Sequence, residues 1–319
     1  MVSVDIVVPC YNYARFLRHA VESAMHQDDV EVRVLIIDDC STDLTPDVGR
    51  ELTHEFAGVT FRRHAENKGH VATFNEGIAE LTGDYFLLLS ADDYLLPGSL
   101  GRAVRLMEAH KEISFVFGRA FFSANERPLQ PWVPLTRGIV HDGDTVLSGR
   151  RFVELSSALN IVPTPTAVVR TSVQLAAGGY RPELPHTGDM EMWLRLAAYG
   201  SVGYIDADQA VYRLHGTNMS IAYEGIDDLE ARRKALNIFF ADGAKKMDPS
   251  GALQRECLHR FSGEAFRQAR MALNRGEANT ARQFRDYGLA VSPTARLSLG
   301  WVRLLAKQAM RRQSLTAIR

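Results

Sequence analysis

Cysteines are scarce in this sequence and widely spaced. Cys10, Cys40 and Cys257 are odd in number, and none has the spacing of a Cys-x-x-Cys pair or a cysteine–histidine metal site. The pattern argues against a disulfide framework and against a structural zinc site. Because free thiols are typical of reducing compartments, we expect a cytoplasmic protein.

Long apolar runs are also missing. No stretch reaches the ~18 consecutive apolar residues that a membrane-spanning helix requires. The N-terminus enters an apolar stretch at once, without a basic flank or a small-residue cleavage site. It therefore predicts a first β-strand and not a signal peptide.

An excess of charge of either sign is absent as well. The net charge is −1, so electrostatics gives no reason to expect a nucleic-acid partner. A hydrophobic content of 46% and a charged content of 24% are typical of a globular protein. The length of 319 residues suggests about two domains.

The first 110 residues alternate between apolar strands and amphipathic helices. Strands are predicted at residues 4–8, 32–37, 59–63 and 87–89, and helices at residues 14–25, 44–56 and 71–81. This alternation predicts an α/β fold with a doubly wound, largely parallel sheet. The turn after the first strand, residues 9–13, has no glycine, which argues against a dinucleotide fingerprint and a P-loop.

The remainder of the chain divides into three parts. Residues 119–151 are rich in proline and glycine and predict a loop-rich insertion that covers an active site. Short strands at 167–170, 204–205 and 211–212 and a helix at 190–199 follow. From residue 226 helical patterns dominate, at 229–240, 255–273 and 278–289. We therefore predict a catalytic domain at 1–225, divided into a nucleotide-binding half (1–118) and an acceptor-side half (119–225), and a helical region at 226–319.

Two adjacent carboxylates, Asp92 and Asp93, follow the buried leucines of the fourth strand. Ligands of open α/β sheets bind at the carboxyl ends of such strands. Carboxylate oxygens there suit a divalent cation that carries phosphates. The alternative is a helix cap, a role that aspartate also favours.

Five segments, each at a strand end or turn, make the chain resemble glycosyltransferase family 2 over residues 3–220. They are Val7-Val8-Pro9-Cys10-Tyr11-Asn12, Ile37-Asp38-Asp39-Cys40-Ser41-Thr42-Asp43, Asn67-Lys68-Gly69 with Asn75-Glu76-Gly77, Ser90-Ala91-Asp92-Asp93, and Gly188-Asp189 with Tyr212-Arg213-Leu214-His215. The resemblance implies the GT-A fold and inverting transfer of a sugar from a nucleotide diphosphate sugar.

The resemblance also implies a nucleotide site. Asp39 matches the aspartate that reads the base, since a carboxylate can accept the imide N–H of uracil or thymine; a cap or turn role is the alternative. Pro9, Tyr11 and Asn12 would line the same pocket, and Tyr11 could stack on the base or simply pack.

The turn Asn67-Lys68-Gly69 matches the turn beside the nucleoside, where Gly69 lets the backbone approach closely. Lys68 is either a phosphate ligand or a solvated lysine. A donor carrying UDP or dTDP is favoured.

A metal site is implied next. Asp92 matches the metal-binding aspartate of the family's D-x-D motif, which takes Mg²⁺ or Mn²⁺, and His215 falls where a second ligand is often found. The motif's first aspartate is Ser90 here, which puts its ribose contact in doubt. Ser90 and Ala91 are expected to line the nucleotide site, and Asp93 to hold the loop.

Asp189 matches the catalytic base, which takes the proton of the acceptor hydroxyl. His186 and Glu191 are neighbouring candidates, although residues two apart on a helix do not share a face. The alternative for Asp189 is stabilisation of the helix N-terminus.

The C-terminus is basic, with no acidic residue after Asp286. In residues 295–319, Leu297, Trp301, Leu304 and Leu305 gather on one side of a helical wheel, which suits peripheral contact with an anionic membrane at its inner face. Packing on the protein or on a second subunit is the alternative.

These observations favour a glycosyltransferase that acts on a cell-envelope or lipid-linked saccharide. A catalytically silent protein that binds sugar nucleotides remains an alternative, and Ser90 supports it. A sugar-phosphate nucleotidyltransferase is the second, but it would be expected to carry a glycine-rich loop after the first strand.

Overall fold

The computed structural model describes residues 1–124, 130–131, 143–216, 218 and 225–316. The chain folds into two compact units, Met1–Phe152 with Ile161–Ile221 and Val153–Asn160 with Ala222–Arg319. This division differs from the predicted one because it assigns Val153–Asn160 to the helical unit.

The first unit contains one sheet with the strand order β3-β2-β1-β4-β9-β6-β10-β5, with β7 beside β6 and β8 beside β10. The strands are β1 (Ser3–Cys10), β2 (Glu31–Asp38), β3 (Val59–Arg63), β4 (Tyr85–Leu88), β5 (Tyr94–Leu95), β6 (Ile113–Ala124), β7 (Gln130–Pro131), β8 (Thr145–Leu147), β9 (Val168–Arg170) and β10 (Ser201–Leu214).

The helices pack around this sheet or form the second unit. They are α1 (Ala14–Met25), α2 (Thr45–Glu55), α3 (His70–Ala79), α4 (Ser99–Ala109), α5 (Gly149–Ser156), α6 (Thr171–Ala177), α7 (Gly188–Ala197), α8 (Gly225–Ile238), α9 (Ala252–Arg275), α10 (Ala278–Val291) and α11 (Leu299–Thr316). A π-helical turn, Phe239–Gly243, follows α8.

The first four strands in the order are parallel, as the strand–helix alternation predicts. The rest of the sheet is mixed, because the short strand β9 lies antiparallel to both β4 and β6. The predicted parallel order therefore applies to the half built from residues 3–88, and to the β6–β10 pair.

The first strand continues past its predicted end at residue 8 and includes Pro9. β1 continues to Cys10 and pairs with β2 as far as Asp38. The Val7 C=O accepts the Leu89 N–H on the β4 side, and Pro9 faces the same side two residues later, beyond the end of β4. Its missing N–H therefore costs no ladder hydrogen bond.

The two short strands predicted at 204–205 and 211–212 are parts of one strand, β10. Register shifts between Ile205, Asp208 and Ala210 interrupt its pairing with β6. Because bulges break the alternation of apolar and polar residues, the sequence pattern divides where the strand does not.

The predicted loop-rich insertion, residues 119–151, contains the end of β6 together with β7, β8 and the start of α5. Pro128, Trp132, Pro134 and Gly138 lie outside the described residues.

Apolar layers cover both faces of the sheet. One layer packs β1, β2 and β4 against α1 and α4 and includes Ile6, Leu17, Leu87 and Leu100. On the acceptor-side half, Phe115 stacks on Trp193 with 5.6 Å between ring centroids. Each such buried side chain contributes about 1.5–3 kcal/mol, which holds the strand ends in fixed positions.

The helical unit has a core of its own. Phe261, Phe266, Phe284 and Leu304 are buried in a cluster formed by α9, α10 and α11. Three helices are predicted at 229–240, 255–273 and 278–289, and α8, α9 and α10 are found there. None of the helices in the described part of the chain combines the length and the hydropathy that spanning a membrane requires.

Candidate active site

The loops that follow β1 and β2 are tied to each other by hydrogen bonds. The Asp39 N–H donates to the Cys10 C=O over 2.8 Å, and the Asn12 N–H donates to Ser41 Oγ over 2.8 Å. Asn12 has a φ of 60°, a region that asparagine tolerates better than most residues. The predicted residues Asn12 and Asp39 are therefore neighbours at one edge of the sheet.

Tyr11 lies at the same edge, and 46% of its surface is exposed. Pro9 precedes it at the end of β1. An exposed ring beside a strand end offers a face on which a flat base can stack.

The Asp39 carboxylate already has three hydrogen-bond donors and is only 4% exposed. Its Oδ1 accepts the Lys68 N–H and His64 Nδ1, both at 2.7 Å, and its Oδ2 accepts the Gly69 N–H at 2.8 Å. A carboxylate offers about four acceptor positions. About one therefore remains, on Oδ2.

The hydrogen bond from the residue 69 N–H to Asp39 requires glycine at this position. Its φ is +83°, where a side chain is strained. The neighbouring Asn67 accepts the Gly69 N–H with its Oδ1 and donates to the Asp39 C=O over 3.2 Å. The predicted turn is thus hydrogen-bonded to both the carboxylate and the backbone C=O of Asp39.

His64 belongs to this site, although none of the sequence motifs includes it. Its buried ring places Nδ1 2.7 Å from Asp39 Oδ1 and Nε2 3.0 Å from Glu76 Oε2. The ring therefore bridges the two carboxylates and links Asp39 to α3. The signal in the sequence is a histidine directly after the predicted strand 59–63.

The Glu76 carboxylate has three side-chain partners. Lys68 Nζ and Arg62 Nη1 each lie 3.1 Å from a Glu76 oxygen, in addition to His64. Burial raises the pKa of Glu76, but the hydrogen bonds from Lys68 and Arg62 and the charge of His64 outweigh it and lower the pKa to about 2. The Lys68 ammonium group thus pairs with Glu76, and its predicted phosphate contact stays a prediction.

Asn75 and Gly77 of the same segment have structural roles. The Asn75 amide pairs with both backbone groups of Tyr180, at 2.6 and 2.8 Å. A Cβ at Gly77 would lie 2.3 Å from a methyl of Val7. The segment therefore holds α3 against β1 and fixes the loop before α7.

The turn after β4 is closed by a hydrogen bond from the Asp93 N–H to the Ser90 C=O at 3.0 Å. Ser90 is partly exposed. Ala91 is fully buried in the core, because its side chain faces the apolar layer beneath the turn. Its methyl group therefore packs in the core, and the predicted nucleotide contact of this residue stays a prediction.

Asp93 holds the loop, as expected. Its Oδ1 accepts the backbone N–H of Arg213 at 2.9 Å, which ties the turn to the end of β10. Burial and the charge of Asp92 raise the pKa of Asp93 well above its usual range.

Asp92 and His215 form a pair. Asp92 Oδ2 lies 2.9 Å from His215 Nε2 and 3.4 Å from the Asn218 amide nitrogen. The other oxygen, Asp92 Oδ1, is buried and has no hydrogen-bond partner among the described residues.

A buried orphan oxygen on a carboxylate whose other oxygen pairs with an imidazole fits a divalent cation. No group of three or more His, Cys, Asp or Glu side chains in the described residues could hold a metal. Mg²⁺ is often held by one or two protein ligands, with substrate phosphates and waters completing its shell. Asp92 and His215 meet that requirement.

Arg213 braces this pair. Its guanidinium donates to the Asp92 C=O over 2.7 Å and to His19. It also lies 4.5 Å from the centroid of the Tyr94 ring and 5.2 Å from that of Phe16. Burial lowers the pKa of Arg213. The sequence motif leaves the role of this arginine open, and the structure places it behind the Asp92 loop.

Asp189 lies in the first turn of α7. Its Oδ1 accepts the Met190 N–H at 2.7 Å, and Thr164 Oγ1 donates to its Oδ2 at 3.4 Å. Burial raises the pKa of Asp189, while the Met190 N–H and the charge of His186 act in the opposite direction. A carboxylate with a raised pKa is better suited to accept a proton near neutral pH.

The Glu191 carboxylate forms ion pairs with two arginine side chains. It is fully buried, with Oε2 2.7 Å from Arg195 and Oε1 3.2 Å from Arg181. Removing a carboxylate from such a buried ion pair would leave an uncompensated charge. Glu191 therefore serves the fold, and Asp189 is the stronger candidate for the base.

The sheet brings Asp39 and Asp92 to the same edge. β2 and β4 flank β1 on its two sides and run parallel to it, so the loops after them lie about two strand spacings, roughly 10 Å, apart. This spacing allows one ligand to contact the Asp39 loop with its nucleoside and the Asp92 loop with its diphosphate.

The fold is that of the GT-A class of nucleotide-sugar transferases. The structure is similar to that of S. aureus TarS (residues 1–349) in complex with UDP-GlcNAc, with a TM-score of 0.62 and 17% identity over 89% of this chain and 90% of that chain. It is also similar to a Pyrobaculum calidifontis mannosyltransferase in complex with GDP-Man and Mn²⁺, with a TM-score of 0.56 and 17% identity over 96% of this chain and 79% of that chain.

Sequence comparison points to one family. The model of glycosyltransferase family 2 matches residues 5–145, which confirms the predicted resemblance to that family over this part of the chain. An uncharacterised glycosyltransferase of Nostoc sp. is 24% identical over 234 residues, 73% of this chain and 71% of that protein. Two longer relatives are matched over only 34% and 22% of their own length, so the chain corresponds to a part of those proteins.

Proposed function

We propose that the protein transfers a sugar from a UDP- or dTDP-sugar to a hydroxyl of a cell-envelope or lipid-linked saccharide, with inversion at the anomeric carbon. The observation that carries this proposal is the Asp92 carboxylate, whose Oδ2 pairs with His215 while its buried Oδ1 is satisfied by no described residue. A buried carboxylate oxygen without a donor is costly unless a ligand satisfies it.

The preference for a uracil or thymine nucleobase in the donor follows from the Asp39 carboxylate. Its one remaining acceptor position, on Oδ2, suits the single imide N–H of uracil or thymine. Guanine presents two adjacent donors, which would require an open position on both carboxylate oxygens, and Oδ1 already accepts His64 and the Lys68 N–H. Tyr11 would stack on the base.

Asp92 and His215 would hold the divalent cation, Mg²⁺ or Mn²⁺. When bound, this ion would supply charge neutralisation for the departing diphosphate. Ser90 offers a hydroxyl near the ribose where the family motif has a carboxylate. Arg213 keeps the Asp92 loop in place from behind.

Asp189 acts as the base. Its carboxylate takes the proton of the acceptor hydroxyl while that oxygen attacks the anomeric carbon, and the bond from this carbon to the diphosphate oxygen breaks on the opposite side. The nucleoside diphosphate leaves and Asp189 carries the proton. The hydrogen bonds from Met190 and Thr164 orient the carboxylate for this transfer.

A thermal-shift screen tests the donor assignment. UDP-, dTDP- and GDP-sugars are compared with and without Mn²⁺, because a ligand that binds the folded state raises the melting temperature. The expected result is a metal-dependent shift with a uridine or thymidine donor and a smaller one with GDP-sugars. A larger shift with GDP-sugars would contradict the assignment.

The Asp189→Asn variant tests the base. It should lose about 10²- to 10⁴-fold in turnover and keep the donor-induced shift in melting temperature. Release of nucleoside diphosphate separates this transferase from a nucleotidyltransferase, which would release pyrophosphate. Near-normal turnover of the variant would remove Asp189 from the mechanism.

A further inference from the structure

The terminal helix α11 has two apolar sides, and one of them packs on the protein. Leu304 is fully buried, and the Trp301 ring lies 5.3 Å from that of Phe266 on α9. The helical wheel predicts Leu297 and Leu305 on this same side. Both are exposed instead, at 89% and 44%.

The second side of α11 forms an exposed apolar stripe. Leu299, Val302 and Leu305 follow at intervals of three residues and are 73%, 56% and 44% exposed. Met310 continues the stripe at 56%, and the alanines at 306 and 309 are exposed too. Residues at these spacings share one helix face, so the stripe runs for about three turns.

Positive charge borders the stripe. Arg303 and Lys307 are four residues apart and lie between the exposed stripe and the packed side of the helix. Arg296 is exposed just before α11. No acidic residue occurs in the sequence after Asp286, so α11 contributes no acidic side chain of its own.

The neighbouring helix α9 adds to this charge. Burial and the charges of Arg303 and Arg267 lower the pKa of Arg270, which places Arg270 close to another guanidinium. The carboxylate that acts on Arg270 is that of Glu264. It already accepts two hydrogen bonds from Arg267, of 2.6 Å each. The positive charge around Arg270 and Arg303 is therefore in excess and would be relieved by an anion.

We infer that the stripe at residues 299–310 and its basic border form a surface that docks on an anionic lipid bilayer. An apolar stripe inserts among the acyl chains, and flanking Arg and Lys side chains meet the phosphate headgroups. The charge pattern favours a lipid surface over a second copy of this chain, since two copies would bring the Arg270 and Arg303 charges together. The surface would hold a transferase beside a lipid-linked acceptor, but it does not depend on the transfer reaction.

Vesicle co-sedimentation of the full chain tests this inference, without donor or metal. The protein should bind vesicles of phosphatidylcholine with phosphatidylglycerol, and bind phosphatidylcholine alone weakly. The double variant Val302→Glu/Leu305→Glu should lower binding at least about tenfold. Both positions are exposed, so the fold is retained. Leu175→Glu, at a 51% exposed leucine of α6, is the matched control and should bind like the wild type.

A second variant isolates the charge. Arg303→Gln/Lys307→Gln should weaken binding about 30-fold, from the usual contribution of two basic side chains at an anionic surface, and added salt should weaken the wild type in the same way. Equal binding by wild type and Val302→Glu/Leu305→Glu overturns the inference. So does a wild-type dimer in analytical ultracentrifugation that this variant dissociates and that shows no vesicle binding, because the stripe is then a subunit interface.

Discussion

The two ends of the candidate site are built in opposite ways. At the end that we propose binds the nucleobase, Asp39 receives three donors and is supported by His64 and Glu76. At the end that we propose holds a metal ion, Asp92 pairs with His215 through one oxygen, and its other oxygen has no partner in the part of the chain that the structure describes. The first carboxylate is organised by the protein itself, and we propose that the second is completed by what binds to it.

Because of this difference, we expect Asp39 to contribute mainly to stability and Asp92 mainly to function. Hydrogen bonds to Asp39 contribute to the folded state whether or not a donor is bound. The orphan oxygen of Asp92 contributes nothing to folding, and the Asp92 charge raises the pKa of the buried Asp93 next to it. Removing each charge should therefore give opposite results, which the following variants measure.

The largest expected effect is on turnover in Asp92→Asn. Loss of the charged ligand should lower the rate of nucleoside diphosphate release by about 10²- to 10³-fold. The melting temperature should stay the same or rise, because repulsion between Asp92 and Asp93 is removed. A variant that is both active and less stable would show that Asp92 serves the fold.

Asp39→Asn should show the reverse order of effects. An amide nitrogen in place of one oxygen would face a backbone N–H or the His64 ring, and breaking a buried charged network of this kind costs about 3 kcal/mol. Urea unfolding of this variant beside Asp92→Asn measures the difference. Equal stability of the two variants would erase the distinction between the two ends.

His64→Gln tests whether the support of Asp39 matters for binding. Glutamine cannot donate to Asp39 and Glu76 from opposite sides of a ring, so Asp39 should lose its fixed orientation. We expect donor affinity to fall roughly tenfold, the loss of one charged hydrogen bond, while the turnover number at saturating donor stays near normal. A change confined to the melting temperature, with an unaltered ratio of UDP to GDP affinity, would assign His64 to the fold alone.

The smallest effect is the pH dependence of stability that Glu76 contributes. Its pKa is about 2 in the folded protein, against an ordinary value of 4.5, so its contribution is complete above pH 4.5 and is lost as the pH falls toward 2. Melting temperatures between pH 7 and pH 3 should decline less steeply for Glu76→Gln than for the wild type. Parallel curves would mean that the Lys68 and Arg62 pairs contribute nothing.

Local patterns predicted the strand ends well. Asp39 and Asp92 were expected after the second and fourth strands, and the structure has them there, because short apolar runs bounded by turns are read directly from the residues. The helices α1 and α10 begin at the predicted residues for the same reason. The resemblance to glycosyltransferase family 2 was equally evident from ordered motifs.

Partners distant in the chain were not predictable in this way. His64 meets Asp39 across 25 residues and Arg213 meets Asp92 across 121, and both contacts depend on which strands become neighbours. The Ala91 side chain turns into the core because packing decides the direction of one side chain in a turn. The apolar residues of α11 divide between two sides for the same reason.

The sequence by itself determined the alternation of strands and helices, the resemblance to glycosyltransferase family 2, and the positions of Asp39, Asp92 and Asp189 at element ends, because these follow from local periodicity and motif order. Only the tertiary structure decided which oxygens of Asp39 and Asp92 are satisfied by the described residues and which is left open. Hydrogen-bond satisfaction depends on donors brought from strands far apart in the chain. The unsatisfied Asp92 oxygen and the exposed side of α11 both result from which distant parts of the chain pack together.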